Sequence, residues 1–345
     1  MRIAIAGAGV AGSYLGFMLQ KQGHDVTVFE SSKQENHWAV CAWGASRNIL
    51  EIFSTNVGLN FGEYIFHEGK KLRMELPNNK EEYLELIGLV TYDKQKWEHD
   101  LLKNLTVKYQ FKCSINSFPF ADYDYVLDCT GVHRSLLPKS KSDFIIPAYE
   151  YLVENLDEIN IENDFYVIGY KNARGYFWYF PLNNGRAYVG AGDIDRKYYG
   201  INEFFHDNPS AKVIKKIGRP IRLAPPKQME PFFHNNVIGI GESIGCVFPM
   251  LGEGIIPSLL CCEIFLNVFG NSNKFDFKKY QNLVRKKFDY YDDVYRIVRL
   301  KMDNKLSTIK HFPLMMKMYK NMKKDEKRFG FEINLEKMTK LVNSL

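Results

Sequence analysis

The run RIAIAGAGVAGSYLGFMLQKQGHDVTVFE, residues 2 to 30, constrains this chain more than any other stretch. Residues 2 to 6 read as a buried strand. The glycine-rich turn enters a helix that stops at Gly23, and DVTVF forms a second strand, which together make a βαβ opening. Gly7, Gly9 and Gly12 have the G-x-G-x-x-G spacing at the position where a dinucleotide's pyrophosphate is held. Gly7 permits the tight turn, Gly9 lets the helix N-terminal amides approach phosphate, and Gly12 lets helix and strand pack closely. Glu30, 18 residues past Gly12, supplies a carboxylate for the adenosine ribose, which favours FAD or NAD over a 2′-phosphorylated cofactor.

A chain of 345 residues exceeds one simple core, so a large α/β domain with a second lobe is expected. The greasiest stretch, Gly254 to Phe269, is short and interrupted by Pro257 and Glu263, which argues against a membrane span. The start of the chain does not read as a signal peptide. Six cysteines at 41, 113, 129, 246, 261 and 262 show neither a disulfide framework nor metal-ligand spacing, which fits a reducing cytoplasm. The net charge of +6 is concentrated in residues 301 to 328, with nine Lys/Arg against three Asp/Glu. Such a run reads as a solvated helix face or as a site for an anionic membrane surface, given the apolar HFPLMMKMY inside it. No nucleic-acid-binding signature is present, so no nucleic acid partner is expected.

Further along, ASRNILEIF reads as a helix, followed by β-like segments near 63–67, 71–76 and 86–92. A helix over KQKWEHDLLKN and strands near LTVKY and DYVLDCTG return the chain to the first layer. Residues 144 to 193 look mostly β, VIGIGES reads as a buried strand, and GEGIIPSLLCCEIFLNVF as a helix. From Phe275 one helix is expected, because Tyr280, Val284, Phe288, Tyr291, Tyr295, Val298 and Met302 recur at spacings of three and four. In GYFWYFP, residues 175 to 181, strand alternation sends Tyr176, Trp178 and Phe180 to one face and Phe177 and Tyr179 to the other. The Asn184-Gly185 pair and the following AYVGAGD make this a hairpin.

DYDYVLDCTGVHRS, residues 122 to 135, resembles the strand that returns beneath the dinucleotide in two-dinucleotide-fold flavoproteins. NVIGIGESIGCVFPMLGEGI resembles their later Gly-Asp strand, with Glu242 in place of the aspartate that holds the ribityl chain. Tyr176-Phe-Trp178-Tyr-Phe180-Pro181 matches the Tyr-x-Trp-x-Phe-Pro motif of the geranylgeranyl reductases. WAVCAWG with Cys41, IRLAPP and FPMLGEGI are further shared stretches, and Lys94 stands where that family often has arginine. The resemblance, over most of residues 1 to 300, implies an α/β fold: a Rossmann-like FAD-binding domain interleaved with a β-rich substrate domain and a C-terminal helical segment. By the same resemblance, residues 1–60, 86–140 and 217–270 form the FAD-binding domain, 61–85 and 141–216 the substrate domain, and 271–345 the helical, basic segment.

The activity so implied is reduction of carbon–carbon double bonds in a prenyl lipid or prenyl diphosphate. The catalytic residues are then Cys41, Tyr176 and Trp178, with Phe180 and Pro181 joining them against the substrate. The implied FAD contacts are Gly7, Gly9, Val10, Ala11, Gly12, Glu30, Ser31, Arg47, Thr130, Gly131, Gly241, Glu242, Pro249, Gly252, Gly254 and Ile255. The helix opened by Gly252 and Gly254 would turn its positive end toward the flavin. No second dinucleotide fingerprint exists, so electrons come from an external donor, a ferredoxin-like protein or a reduced nicotinamide. Two rival readings share the fold. One is a flavin monooxygenase or halogenase, whose strand-end motifs differ: Asp-Gly where this chain reads Asp128-Cys-Thr130-Gly131, or Trp-x-Trp-x-Ile-Pro. The other is a non-catalytic prenyl carrier. The expected location is cytoplasmic, with the basic segment on a membrane surface.

Overall fold

The computed structural model describes residues 1–33, 37, 41–77, 80–103, 107–114, 118–156, 164–270 and 275–344. Residues 38–40 of the WAVC segment, and part of LTVKY, lie outside the described residues. Arg2–Ala6 lies at the centre of a six-stranded sheet, parallel to Asp25–Phe29 on one side and to Tyr125–Asp128 on the other. Lys108–Gln110 and Val237–Gly239 extend the parallel set, and Phe233–His234 closes one edge antiparallel. Ile3, Ala4 and Ile5 are fully buried, as a parallel strand covered on both faces must be. This is a Rossmann-like α/β layer.

The helices Val10–Lys21 and Ile255–Phe269 pack on each other, where Tyr14 donates to Glu263 at 2.5 Å. Eleven of the fifteen residues of Ile255–Phe269 are buried, so its apolarity is that of a core helix. Among the described residues no helix is long and apolar enough to cross a membrane.

A second sheet of seven strands runs in the order Lys212–Gly218, Ala148–Glu154, Ala187–Asp193, Gly175–Pro181, Phe165–Gly169, Lys71–Glu75, Glu81–Glu85. Its hairpin turns through Asn184 and Gly185, both at positive φ (55° and 62°). The two faces of the aromatic strand separate cleanly. Phe177 and Tyr179 join Val189, Ala191, Ile201 and Phe204 in a core of their own beneath the helix Tyr199–Asp207. Phe180 packs on the opposite face with Trp43, Leu182 and Tyr188. A small sheet of Gly44–Ser46, Leu89–Tyr92 and Ile65–Glu68 stands alongside.

The single helix expected from Phe275 is two helices, Phe277–Lys287 and Asp289–Met302. Phe288 (φ −107°, ψ 18°) ends the first and opens the second, whose first turn holds Asp289 and Asp292 where the helix dipole favours acids. Because Phe288 stays buried at the break, the apolar stripe continues across it, and periodicity alone does not reveal the joint. The basic run is also more divided than its composition suggests. In the helix Thr308–Lys324, Met315, Met318 and Met322 are buried, whereas Ile309 and Phe312 are 92% and 56% exposed. Lys317 pairs with Asp293 at 2.7 Å, and Lys323 with Glu326 at 2.6 Å.

Arg328, at the end of the same run, is buried. It donates to the Glu253 carboxylate in the FPMLGEG loop and lies 4.0 Å over the Phe329 ring. The pair ties the C-terminal segment to the loop that opens Ile255–Phe269.

Two measurements test this packing. Phe177→Ala empties a site that is 1% exposed and should cost about 3–5 kcal/mol in denaturant unfolding. Arg328→Met leaves Glu253 buried without its cation and should cost roughly 3–5 kcal/mol, against little change for the exposed Lys310→Met.

Candidate functional site

The fingerprint turn is built for a ligand's backbone. Gly7 (φ +97°) donates to Phe29 O at 2.7 Å, and a Cβ there would lie 2.5 Å from Cys129 O. A Cβ on Gly12 would collide with Gly7 O. These two glycines thus serve the chain's own packing. Gly9 is different: a Cβ there would meet nothing within 4 Å. It caps Val10–Lys21 without a side-chain hydrogen bond, and the first turn holds no acid. The amides at this N-terminus therefore face open space with a positive partial charge, and a pyrophosphate fits there.

Glu30 accepts from the Ala8 amide at 3.0 Å and from the Ser32 amide at 2.9 Å, with Ser31 Oγ at 3.2 Å. Burial pushes this carboxyl up, but the two amides and the nearby His37 outweigh it and hold Glu30 below its ordinary value. Oε1 takes both serine donors, and Oε2, which takes the Ala8 amide, keeps a lone pair for a ribose hydroxyl.

Across the sheet, Thr130 donates to Asp128 at 2.6 Å, and Gly131 (φ +62°) turns the chain beneath Glu242. The longer Glu242 carboxylate reaches Arg219 at 3.7 Å and accepts from the Arg222 amide at 3.3 Å. Arg222, from IRLAPP, is buried and stitches this corner together. Its guanidinium donates to Asp143 at 2.9 Å, to Val132 O at 2.7 Å and to Glu242 O at 2.8 Å. That role escaped sequence reasoning, because an arginine before two prolines reads as loop surface.

A cavity of about 460 Å³ joins the fingerprint turn and the Gly131–Glu242 corner to the second sheet, while Glu30, Ser31 and Thr130 lie outside its lining. Gly9, Val10, Ala11, Gly131, Glu242, Pro249, Gly252, Gly254 and Ile255 line it, together with Cys41, Tyr176, Trp178 and Phe180. Ile297, Met302, Leu341 and Val342 of the C-terminal helices also reach its wall. Gly241 lies just behind, with φ +69° and its amide donating to Cys261 Sγ at 3.3 Å. Arg47 and Pro181 sit elsewhere. Arg47 pairs with Glu51 at 2.6 Å and Glu68 at 3.0 Å, and Pro181 O accepts from Thr91 at 2.6 Å. Tyr176 donates to Leu251 O at 2.6 Å, which fixes the aromatic strand to the FPMLGEG loop. The helix end that the loop opens is already partly met by protein: Glu253 accepts from the Ile256 amide at 3.0 Å.

Four polar residues interrupt the apolar wall near Trp178: Cys41, Lys94, Glu150 and, behind Lys94, Glu98. Lys94 and Glu98 form a buried pair at 2.6 Å, one helical turn apart. Cys41 is half-exposed, but to the cavity, and burial raises its thiol to about 11 although Lys94 opposes this. Glu150 is 4% exposed, accepts the Cys41 backbone N–H, and is pushed by burial up to about 8. Sequence reasoning missed Glu150. It stands in AYEYLVE, where alternation reads equally well as a solvent-facing acid. Among the described residues no group of His, Cys, Asp and Glu is arranged to hold a metal ion.

Comparison with known proteins agrees with this geometry. The model of the ketopantoate reductase family PanE/ApbA matches residues 3–42, which is the βαβ opening alone. A digeranylgeranylglycerophospholipid reductase of Methanopyrus kandleri is 23% identical over 300 residues, 76% of this chain and 75% of the relative. A second such reductase, of Methanosphaera stadtmanae, is 34% identical over 92 residues, 25% of this chain and 23% of the relative. Among solved structures, a geranylgeranyl bacteriochlorophyll reductase-like protein of Thermoplasma acidophilum superposes with a TM-score of 0.70. It has 18% identity and is matched over 94% of this chain and 98% of its own. A tryptophan 6-halogenase of Streptomyces toxytricini, 15% identical, gives 0.68 over 99% of this chain and 90% of its own, which shows how widely the fold is shared. In sequence and in fold, the chain is a relative of the geranylgeranyl reductase family of flavoproteins.

Proposed function

We propose that this chain is an FAD-dependent reductase that saturates carbon–carbon double bonds of geranylgeranyl or other polyprenyl chains, carried by a lipid or a prenyl diphosphate. The observation that carries this reading is the aromatic face of Tyr176, Trp178 and Phe180, which walls an apolar cavity continuous with the fingerprint turn. FAD would be held by the uncapped amides after Gly9, by Glu30, and by the Gly131–Glu242 corner. When bound and reduced, it supplies a hydride. The protein's own part is to bind and orient an alkene and to keep water away from it. A prenyl chain offers no hydrogen bonds, so its affinity must come from buried apolar area, at roughly 25 cal/mol per Å² before ordering costs. Aromatic walls provide that area, and an electron-rich indole steadies positive charge developing on an alkene carbon.

The electrons come from an external ferredoxin-like or nicotinamide donor, since the chain carries one dinucleotide fingerprint. The exposed Ile309 and Phe312, set among lysines of the basic run, form a contact with an anionic membrane surface in which such substrates reside.

The purified protein should be yellow, and denaturation should release FAD. Glu30→Ala removes charge-assisted ribose hydrogen bonds worth on the order of 1.5–3 kcal/mol, so FAD retention should weaken about ten- to hundredfold. Anaerobic photoreduction followed by addition of geranylgeranyl lipid or diphosphate should reoxidise the flavin and yield saturated product. Oxygen- or halide-dependent product instead would assign the chain to monooxygenase or halogenase chemistry, and a colourless protein that cannot be reconstituted would make it a carrier.

Trp178→Ala separates a substrate wall from mere core. It should slow single-turnover reoxidation by the prenyl substrate roughly ten- to hundredfold, while flavin content stays near that of the wild type. Activity, flavin and melting temperature falling together would mean that the aromatic face only holds the sheet.

A further inference from the structure

Glu150 is the buried acid that the binding of cofactor and chain leaves unused. It lies in one row across the second sheet: Glu150 pairs with Gly190, and Gly190 pairs with Trp178. Residues directly opposite on neighbouring strands share a face, so Glu150 and Trp178 look into the same cavity from either side of a glycine. A Cβ on Gly190 would stand 2.5 Å from Trp178 Cζ2 and 2.6 Å from Cε2. The indole therefore lies over Gly190, with the edge that bears Nε1 on the glycine. Among the described residues neither Trp178 Nε1 nor Glu150 Oε1 has a hydrogen-bond partner, although both are buried. Two unsatisfied polar atoms on one wall of a cavity mark a place prepared for chemistry.

We propose that Glu150 is the proton donor to the alkene, a step that rests on the reductase reading above. One alkene carbon receives a hydride, the two-electron equivalent of reduced flavin, and a C–H bond forms as the π bond breaks. The other carbon takes the proton of the Glu150 carboxyl, which forms the second C–H bond and leaves a carboxylate beside an oxidised cofactor. Solvent returns the proton once the product has left.

The surroundings keep a proton on this acid. Lys94 acts on it but is paired with Glu98 at 2.6 Å, so among the described residues no cation forms an ion pair with Glu150. Ile217 is opposite it on the outer strand, and Lys216 there turns to the other face, over the rings of Tyr149 and Tyr151. Burial, offset by the Cys41 amide and Lys94, sets the carboxyl near 8. Cys41 and Tyr176, which also line the cavity, serve less well. The Cys41 thiol is raised to about 11, and the Tyr176 phenol is committed to Leu251 O.

The test uses the FAD-loaded protein and Glu150→Gln, with Glu150→Asp as the conservative variant. In wild type, reoxidation of photoreduced flavin by geranylgeranyl lipid should fall as pH rises through about 8. Glu150→Gln should be about a hundredfold slower or more and lack that limb, with FAD content unchanged, and Glu150→Asp should recover part of the rate. Independently of turnover, infrared difference spectra of the resting protein should show a protonated carboxyl band near neutral pH that disappears on raising the pH and is absent in Glu150→Gln. Equal rates and equal pH limbs in wild type and Glu150→Gln, or no such band, would overturn the proposal. If the band is present but wild-type flavin is not reoxidised by any prenyl substrate, the reductase reading falls and the donor role with it.

Discussion

The site depends on aromatic rings being allowed to lie flat against backbone. Trp178 covers Gly190, and Gly44 sits so close under Phe180 that a Cβ would strike the ring. Tyr176 is paired across the hairpin with Gly192. Each aromatic of the alternating set thus has a glycine beneath or opposite it. In a strand glycine weakens pairing and offers nothing to pack, so it is retained where another group must come close. With side chains at Gly190 and Gly44 the Trp178 and Phe180 rings would have to move, whereas a Cβ on Gly192 would meet Ile146. Gly190 and Gly44 therefore let these two rings lie against backbone and line the hollow. The helix Tyr199–Asp207 meanwhile closes the opposite face around Phe177 and Tyr179.

How much of this was legible follows from which patterns have a single physical meaning. The fingerprint spacing asks for a turn at positive φ, a helix start and a close helix–strand contact, and Gly7, Gly9 and Gly12 fill those three structural roles. The alternation in GYFWYFP has a single meaning, because a strand cannot put neighbouring residues on the same face. Glu150 and Arg328 could not be read in this way. AYEYLVE alternates, but alternation does not tell which face meets water, and an acid is assigned to solvent by default. Arg328 closes a run of lysines that are mostly exposed, and only the chain's return to Glu253 turns it inward. The break at Phe288 was hidden for a related reason: a stripe at three- and four-residue spacing passes unbroken through a short irregularity that keeps its apolar residue buried.

Charge in the cavity wall is mostly paired, a rule that fits an uncharged chain. Lys94 is neutralised by Glu98, Glu253 by Arg328, and Glu242 stands beside Arg219. Pairs of this kind gain little net stability, because the cost of removing both ions from water roughly cancels their attraction. Their effect here is to weaken the field along a groove whose walls are largely apolar. Glu150 breaks the rule in the only way burial permits. With Lys94 already taken, an ionised Glu150 would be a charge without a partner in a medium of low polarity, and the cheaper state is the neutral acid. The buried lysine pair one helical turn long therefore does more than fasten its own helix. By withholding a cation from the strand opposite, it lets the Glu150 carboxyl keep its proton at neutral pH.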